Sequence, residues 1–531
     1  MRNLQAPGRS PVIAPLGMAS TSHSLATEAA VSMLRTGGNA MDAALTACAV
    51  QAVVEPGSTG IGGDCFCLYA PAGSENIVAF NGSGRAPLAA NVSWFQEQGI
   101  TKITQTMPHA VTIPGAVDAW FQLNRDHGQK PLADILQPAI DYARDGYPVG
   151  QRIAFDFAAA YDVIKSDPDT AALFLNNGES YQIGQRHQQP ALAKTLETIA
   201  KHGRDGFYKG AVANDILGKL NSLGGLHTHV DFDTAIGDYV TPIKTRYRDY
   251  DIWECPPNGQ GVFALLLLNV MQQIPTFGDN PLTPKRMHHE IEAGRLIYRD
   301  RSLYLGDPAF GSIPVDELLS TEYADTLRAA IDPDTATSPL PELSLPRHKS
   351  TVYISVVDKD RNVCSLINTV FHGFGSGILA PETGVLLHNR GMGFVLDPAH
   401  PNCIAPGKRP LHTIIPGMAT RNGKAVMPFG VMGGDYQAFG HMQFLTRLFD
   451  FGMDVQQAQD TPRFFADPHG NFVEVENTIA PETREALIKM GHNIVEAKTP
   501  IGGSQAIWID WEEDMLHGGS DPRKDGCAIG Y

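Results

Sequence analysis

Thr351-Val-Tyr-Ile-Ser-Val-Val357 decides how this chain folds. β-Branched and aromatic residues fill most of the seven positions, a composition that suits a pleated, packed strand. Ahead of it, residues 330–350 carry Pro333, Pro339, Pro341 and Pro346 among Asp, Ser and Thr, and read as extended and without regular structure. Behind it, Asn362 to Val370 is a second strand-like run, and further short strands follow between glycine-bearing turns. A threonine that opens a strand is ordinarily structural. Here the proline-rich lead-in sets the Ser350–Thr351 peptide bond at the start of a strand, within reach of the threonine hydroxyl. Attack on that carbonyl, an N→O acyl shift and hydrolysis would release a threonine with a free α-amine. Such an amine titrates at about 7.7–8.0 in a reference peptide, so at neutral pH it can take the proton of its own hydroxyl. One residue would then supply both nucleophile and base.

Upstream the patterning is helical. Ser24 to Arg35 carries Leu25, Ala29 and Leu34 at helical spacing and stops at Gly37-Gly38. Asn39 can cap a second helix, Asp42 suits its first turn, and the alanine-rich run to Val54 ends before Pro56. Alanine at this density predicts an internal helix that approaches its neighbours closely. From about 115 to 330 helical patterns dominate, among them Pro131 to Asp145, Pro190 to His202 and Met287 to Leu305, while Asp249 to Cys255 is strand-like. The outline is helices first and strands later, in one large α+β body.

Composition excludes several classes. The chain has 531 residues, 43% hydrophobic and 18% charged, with 57 acidic against 41 basic side chains. That apolar content rules out disorder, and the acidic excess argues against nucleic acid as a partner. The longest apolar stretch, Val262 to Met271, contains Asn269 and falls far short of the ~20 residues that span a bilayer, so no membrane partner is expected. The seven cysteines form no CxxC pair, and Met1 to Pro15 lacks the apolar core of a signal peptide. A cytoplasmic protein is the expectation.

Metal and cofactor signatures fail. His288-His289-Glu290 lacks the second histidine that HExxH requires, so neither metal nor other cofactor is expected. Gly373-Phe-Gly-Ser-Gly377 follows a strand, but Ile378 stands where a dinucleotide fingerprint needs glycine. Two glycine clusters stand out, Gly60 to Gly63 and Gly433-Gly434 after the apolar run Ala425 to Met432. Such clusters commonly serve turns; the alternative is backbone N–H groups aimed at a developing oxyanion.

Taken together and in order, these stretches resemble the gamma-glutamyltransferase family of N-terminal-nucleophile hydrolases. The resemblance begins with Leu25-Ala-Thr-Glu-Ala29, Gly37-Gly-Asn-Ala-Met-Asp-Ala-Ala44 and Val54-Glu-Pro56 followed by Gly62-Gly63. It continues through Ile113-Pro-Gly115, Gly206-Phe-Tyr-Lys-Gly210, Pro256-Pro257 with Gly261, and Tyr298-Arg-Asp-Arg-Ser-Leu-Tyr-Leu-Gly-Asp307. Thr351 ahead of Ser355-Val-Val-Asp358, then Phe374-Gly-Ser-Gly377, Lys408-Arg-Pro410 and Gly433-Gly434 complete it. The resemblance implies an αββα sandwich built from two fragments of one precursor, residues 1–350 and 351–531, that stay together as a heterodimer. It implies cleavage between Ser350 and Thr351, Thr351 as nucleophile, Thr369 as its hydrogen-bonding partner, and Gly433 and Gly434 as the oxyanion hole. Arg85, in Ser83-Gly-Arg-Ala-Pro87, falls where the family holds the substrate α-carboxylate, a task that suits the planar guanidinium.

The departures bear on substrate. Where the family reads Asn-Gln-Met-Asp-Asp-Phe, this chain reads Asn389-Arg-Gly-Met-Gly-Phe394. Gly393 replaces the aspartate that would pair with the α-amino group of a γ-glutamyl substrate, and Arg390 adds a cation. The serine pair after Lys-Arg-Pro-Leu is His412-Thr413, the asparagine two places beyond Thr369 is Phe371, and the Phe394 to Lys408 loop is short for the family. Removing the partner of a desolvated ammonium costs about 3–5 kcal/mol, roughly 10²- to 10³-fold or more in transition-state binding. The expectation is an autoprocessing amidohydrolase for a small anionic amide held by Arg85, Arg390 and Thr413. Oxamate, cleaved to oxalate and ammonia, is the concrete candidate. The alternatives are a glutathione hydrolase or γ-glutamyltransferase, an acylase for β-lactam side chains, and a catalytically silent relative that binds without turnover.

Overall fold

Two seven-stranded sheets face each other at the centre of the computed structural model, which describes residues 8–337 and 351–531. The first runs Cys527–Gly530, Met18–Thr21, Val352–Val357, Val363–Thr369, Asp64–Ala70, Val78–Gly82, Asp238–Val240. The second runs Val12–Ala14, Met515–Ser520, Gly503–Asp510, Lys424–Met432, Gly417–Arg421, Tyr250–Glu254, Ile243–Tyr247. Neighbours are antiparallel throughout both. Ser350, and with it most of the proline-rich lead-in, lies outside the described residues.

Side-chain alternation explains the layers. Along Val352–Val357, Tyr353 and Val357 point between the sheets with Phe66, Ile367, Met418 and Ile507. Ile354 and Val356 point the other way, against a helical layer that includes Leu45, Val50 and Trp120. Helix Ala40–Val54 is buried along its whole length, and its capping box joins the Asn39 side chain to the Asp42 N–H and the Asp42 carboxylate to the Asn39 N–H. Alanine at its contact positions lets it lie close to the sheet. On the far side, Gly261–Met271, Pro284–Tyr304 and Tyr436–Phe449 cover the second sheet. The result is helix, sheet, sheet, helix, the expected sandwich.

The helices-first outline does not hold. Residues 12–82 contribute four strands, and Met18–Thr21 and Asp64–Ala70 flank the two central strands of the first sheet. Asp64-Cys-Phe-Cys-Leu-Tyr-Ala70 escaped notice because both of its faces are covered, which removes the polar alternation that betrays a half-exposed strand. The apolar stretch Val262 to Met271 is a core helix, and no helix among the described residues is long and apolar enough to cross a membrane.

His187 gives the fold a pH dependence. Its ring is buried in a box of Tyr147, Phe157, Phe174 and Tyr181, and neither ring nitrogen has a hydrogen-bond partner among the described residues. Burial lowers its pKa from 6.5 to about 4. Between those values the unfolded chain binds a proton that the folded chain does not, so this group costs stability as pH falls through the window. His187→Phe is therefore expected to melt near wild type at pH 8 and to lose less stability than wild type between pH 6.5 and 4.5 in thermal melts.

Candidate active site

The ladder between Val352–Val357 and Val363–Thr369 pairs Val352 with Asn368, which sets Thr351 opposite Thr369. Their Oγ1 atoms lie 3.4 Å apart, and Thr351 is 1% exposed. The Phe371 N–H donates to Thr369 Oγ1 at 2.9 Å. By alternation both threonines share the inter-sheet face with Tyr353 and Ile367. Gly433 and Gly434 follow the second-sheet strand Lys424–Met432 and turn the chain at φ +119° and +62°. A side chain at Gly433 would begin 3.0 Å from the Gly502 Cα. The turn leads into helix Tyr436–Phe449, whose first turn supplies Gln437. The Gln437 Nε2 donates to Thr351 Oγ1 at 3.3 Å, and its Oε1 accepts the Ile415 N–H at 3.1 Å.

The other glycine cluster has a packing role. A Cβ on Gly63 would lie 2.1 Å from the Thr369 carbonyl oxygen, and one on Gly62 would lie 2.3 Å from that of Leu386. Glycine there lets the backbone pass directly behind Thr369.

Buried polar groups brace the Gly433-Gly434 turn. Gln260 Nε2 donates to the carbonyls of Thr413 at 2.8 Å and Gly434 at 3.0 Å, and its Oε1 accepts from Arg301 Nη1 at 2.7 Å. Arg301 also pairs with Asp435 at 2.6 Å, whose second oxygen meets His469 Nε2 at 3.0 Å. The Tyr298 hydroxyl donates to the Asp435 carbonyl. Burial alone would raise the Asp435 carboxyl, but Arg301 and His469 outweigh it and hold it at about 2.

Arg390 is the unusual charge. It starts the short 3-10 turn Arg390–Gly393 and is fully buried, with its guanidinium carbon 3.7 Å from the centre of the Phe371 ring. Nη1 donates to Thr413 Oγ1 at 3.3 Å, whereas Nε and Nη2 have no hydrogen-bond partner among the described residues. Burial lowers its pKa to about 9, against Asp64 and Asp435, which favour the charge, so it remains a cation at neutral pH. Asp64 is committed to other donors: His412 Nε2 at 3.0 Å, the Gly84 N–H at 2.9 Å and the Gly115 N–H at 3.3 Å. Burial would raise this carboxyl too, but His388 and His412 hold it well below the usual range. His412 accepts the Ile414 N–H on Nδ1, and burial together with Arg390 lowers its pKa to about 3, so it stays neutral.

Arg85 stands apart. Its Nη2 pairs with Asp238 at 3.1 Å and its Nη1 reaches the Gly407 carbonyl at 3.4 Å, with the side chain 30% exposed. Asp238 is shared with Arg409 at 2.8 Å. The structure thus links Thr351, Thr369, Arg390, Thr413 and the Gly433-Gly434 turn through consecutive contacts. Among the described residues the Arg85 guanidinium meets none of them. Gln437, Gln260 and Asp64 were missed in the sequence. Their one signal was position, next to glycine clusters or Gly261.

A cleft of about 290 Å³ opens at Gly433, with Phe155, Tyr436, Phe465 and Pro500 on its walls beside Asp435 and His469. Elsewhere, His288, Glu292 and His492 place possible metal ligands within 4.8 Å of one another. The two histidines hydrogen-bond each other at 2.8 Å and Arg295 sits 2.7 Å from Glu292, while His492 Nδ1 has no hydrogen-bond partner among the described residues.

Residues 26–531 match the sequence profile of the family described as Gamma-glutamyltranspeptidase. The chain belongs to the gamma-glutamyltranspeptidase family. A glutathione hydrolase-like YwrD proenzyme of Bacillus subtilis is 36% identical over 98% of this chain and 99% of its own length. An oxamate amidohydrolase proenzyme of Klebsiella pneumoniae is 32% identical over 97% of this chain and 98% of its own. The crystal structure of a cephalosporin acylase from Bacillus halodurans superposes with a TM-score of 0.93 and 37% identity, covering 100% of this chain and 98% of that one. Membership of the gamma-glutamyltranspeptidase family makes the fold an αββα sandwich of the N-terminal-nucleophile type and the protein an amidohydrolase.

The approach of Gly63 to Thr369 can be tested by one methyl group. Gly63→Ala is expected to displace Thr369 and lower both self-cleavage and amide turnover at least ~100-fold. Gly60→Ala, whose nearest neighbour would be 3.4 Å away, is expected to change either less than ~3-fold. Denaturing gels and rate assays on both variants read the difference.

Proposed function

We propose that the chain cuts itself between Ser350 and Thr351 and hydrolyses a small carboxylate-bearing amide, with oxamate as the leading candidate. Residues 1–350 and 351–531 then form a heterodimer that cannot separate without tearing the first sheet. Met18–Thr21 pairs with Val352–Val357, and Asp64–Ala70 pairs with Val363–Thr369, each across the cut.

The reaction uses Thr351 and the glycine turn that follows Lys424–Met432. In the cut protein the Thr351 α-amine takes the Oγ1 proton as Oγ1 attacks the amide carbonyl, and the N–H groups of Gly433 and Gly434 receive the oxyanion. Collapse expels ammonia, which carries away the proton held by the amine. Water, deprotonated by the same amine, then attacks the acyl-enzyme and releases oxalate.

The observation that carries the substrate reading is the Arg390 guanidinium, fully buried and with two of its three nitrogens unengaged among the described residues. A buried cation with no carboxylate in direct contact costs several kcal/mol, which an anionic ligand would recover through a bidentate pair. The Phe371 ring covers one face of it, and the open Nε and Nη2 donors point in the guanidinium plane, where a bidentate ligand would bind. Gly393 offers no carboxylate to an ammonium group. The relative named an oxamate amidohydrolase supports the same reading. A second reading takes glutathione or another γ-glutamyl amide as substrate and rests on the relative named glutathione hydrolase-like.

Ammonia release from oxamate, compared with anilide release from a γ-glutamyl anilide, separates the two. The expected result is a higher kcat/KM for oxamate. Arg390→Leu is expected to raise the KM for oxamate by about 100-fold with a smaller change in kcat. Tight, efficient turnover of the γ-glutamyl anilide, or an indifferent Arg390→Leu, would overturn the proposal. Arg85→Ala, which removes only the contacts to Asp238 and Gly407 seen here, is expected to cost less than Arg390→Leu.

A further inference from the structure

We infer that Gln437 is a catalytic residue of this hydrolase, whose side-chain N–H holds and stabilises the nucleophilic oxygen of Thr351. The inference rests on the proposed role of Thr351 and adds a group that neither the sequence motifs nor the family match assigned.

The amide is pinned at both ends. Gln437 is fully buried, and the Ile415 N–H can only donate, so the atom facing it must be Oε1. The Nε2 group must then face Thr351, and at 3.3 Å it is a donor that Oγ1 has to accept. The direction of that bond has consequences. With Gln437 donating, the Thr351 hydroxyl cannot give its own hydrogen to Gln437. On the other side, the Phe371 N–H occupies a lone pair of Thr369 Oγ1. The hydroxyl hydrogen of Thr351 is thereby left for other acceptors, Thr369 Oγ1 at 3.4 Å or the α-amine that cleavage exposes on its own residue.

The same donor serves three moments of the reaction. As the proton leaves for the α-amine, negative charge grows on Oγ1, and a fixed N–H in a water-excluded site lowers its energy. In the acyl-enzyme, Oγ1 is the ester oxygen, and the N–H keeps it in place. In deacylation the Oγ1–acyl bond breaks, Oγ1 takes back the electron pair, and the amine returns the proton. The N–H again meets the charge before the proton arrives. Self-cleavage uses the same oxygen as nucleophile, so Gln437 acts there as well.

Gln437→Glu separates donor from shape. The carboxylate keeps an oxygen for the Ile415 N–H but presents an acceptor, not a donor, to Thr351. At pH 8 the expected outcome is a folded protein that melts below wild type, because the buried carboxylate has no cation partner, with self-cleavage slowed roughly 10- to 100-fold. On whatever fraction is cut, kcat for oxamate falls by a similar factor and KM changes less than ~3-fold. The deficit against wild type is expected to shrink as pH is lowered, because a protonated carboxyl can donate where the carboxylate cannot. A folded but uncut Gln437→Glu protein also supports the inference. Wild-type cleavage and turnover in this variant, or a loss that falls on KM, overturns it. Gln437→Met, of similar length and without a donor, covers the case in which the glutamate fails to fold. If both variants lose the fold, Gln437 is structural and the inference fails. Thr351→Ala run in parallel distinguishes the two levels. Turnover by that variant removes the nucleophile assignment itself, whereas an inert Thr351→Ala beside fully active Gln437 variants removes only the role of Gln437.

Discussion

Antiparallel pairing of Val352–Val357 with Val363–Thr369 is the constraint on which the site depends. Side chains alternate along a strand, so a register slip of one residue would turn Thr351 and Thr369 away from each other and from the space between the sheets. The register is secured on both faces. Tyr353 and Ile367 are locked among the inter-sheet residues, and Ile354 and Leu366 among those of the helical layer. Within the inter-sheet space the Tyr353 hydroxyl meets Ser365 Oγ at 2.7 Å and Ser355 Oγ donates to it at 3.1 Å, polar pins among the apolar residues of that layer. Gly62 and Gly63 close the arrangement from behind, where nothing larger than hydrogen fits against the Leu386 and Thr369 carbonyls.

Around that pair the protein sorts its charges. Asp64 and Asp435 are buried and ionised, and each is occupied by donors from its own surroundings, histidines and backbone for one, Arg301 and His469 for the other. His412 is kept neutral by burial and by Arg390. What remains is the Arg390 guanidinium, whose Nε and Nη2 have no hydrogen-bond partner among the described residues. An unmatched buried charge is expensive, so the two carboxylates are held by donors, and Arg390 is held by the Thr413 hydroxyl and the face of Phe371. The same low-dielectric setting strengthens the bond from Gln437 Nε2 to Thr351 Oγ1.

Much of this was legible in the sequence, for reasons that differ by residue. Helix Ala40–Val54 announced itself through Asn39, Asp42 and its alanines, because caps and small residues are local signals. Thr351 and Thr369 were readable because a β-rich run after a proline-rich stretch and a family pattern coincided. Arg390 emerged from a departure from that pattern, although its stacking on Phe371 and its open donors required the fold. Arg85 matched the pattern as well, yet its guanidinium lies against Asp238, a partner more than 150 positions away that no local reading supplies. Asp64–Ala70 hid because a strand covered on both faces loses its polar alternation. Gln437 was invisible for a further reason: a buried amide at a helix start carries no periodicity, and its role depends on which atom meets Ile415 and which meets Thr351.

In the proposed reaction a peptide bond breaks so that a threonine becomes a chain terminus and its own base. N-terminal sequencing of the smaller fragment from purified, active protein tests this most directly. The expected result is a single sequence beginning Thr-Val-Tyr-Ile, from residue 351. An active preparation that remains one uncut chain, or a small fragment that begins at any other residue, would contradict it.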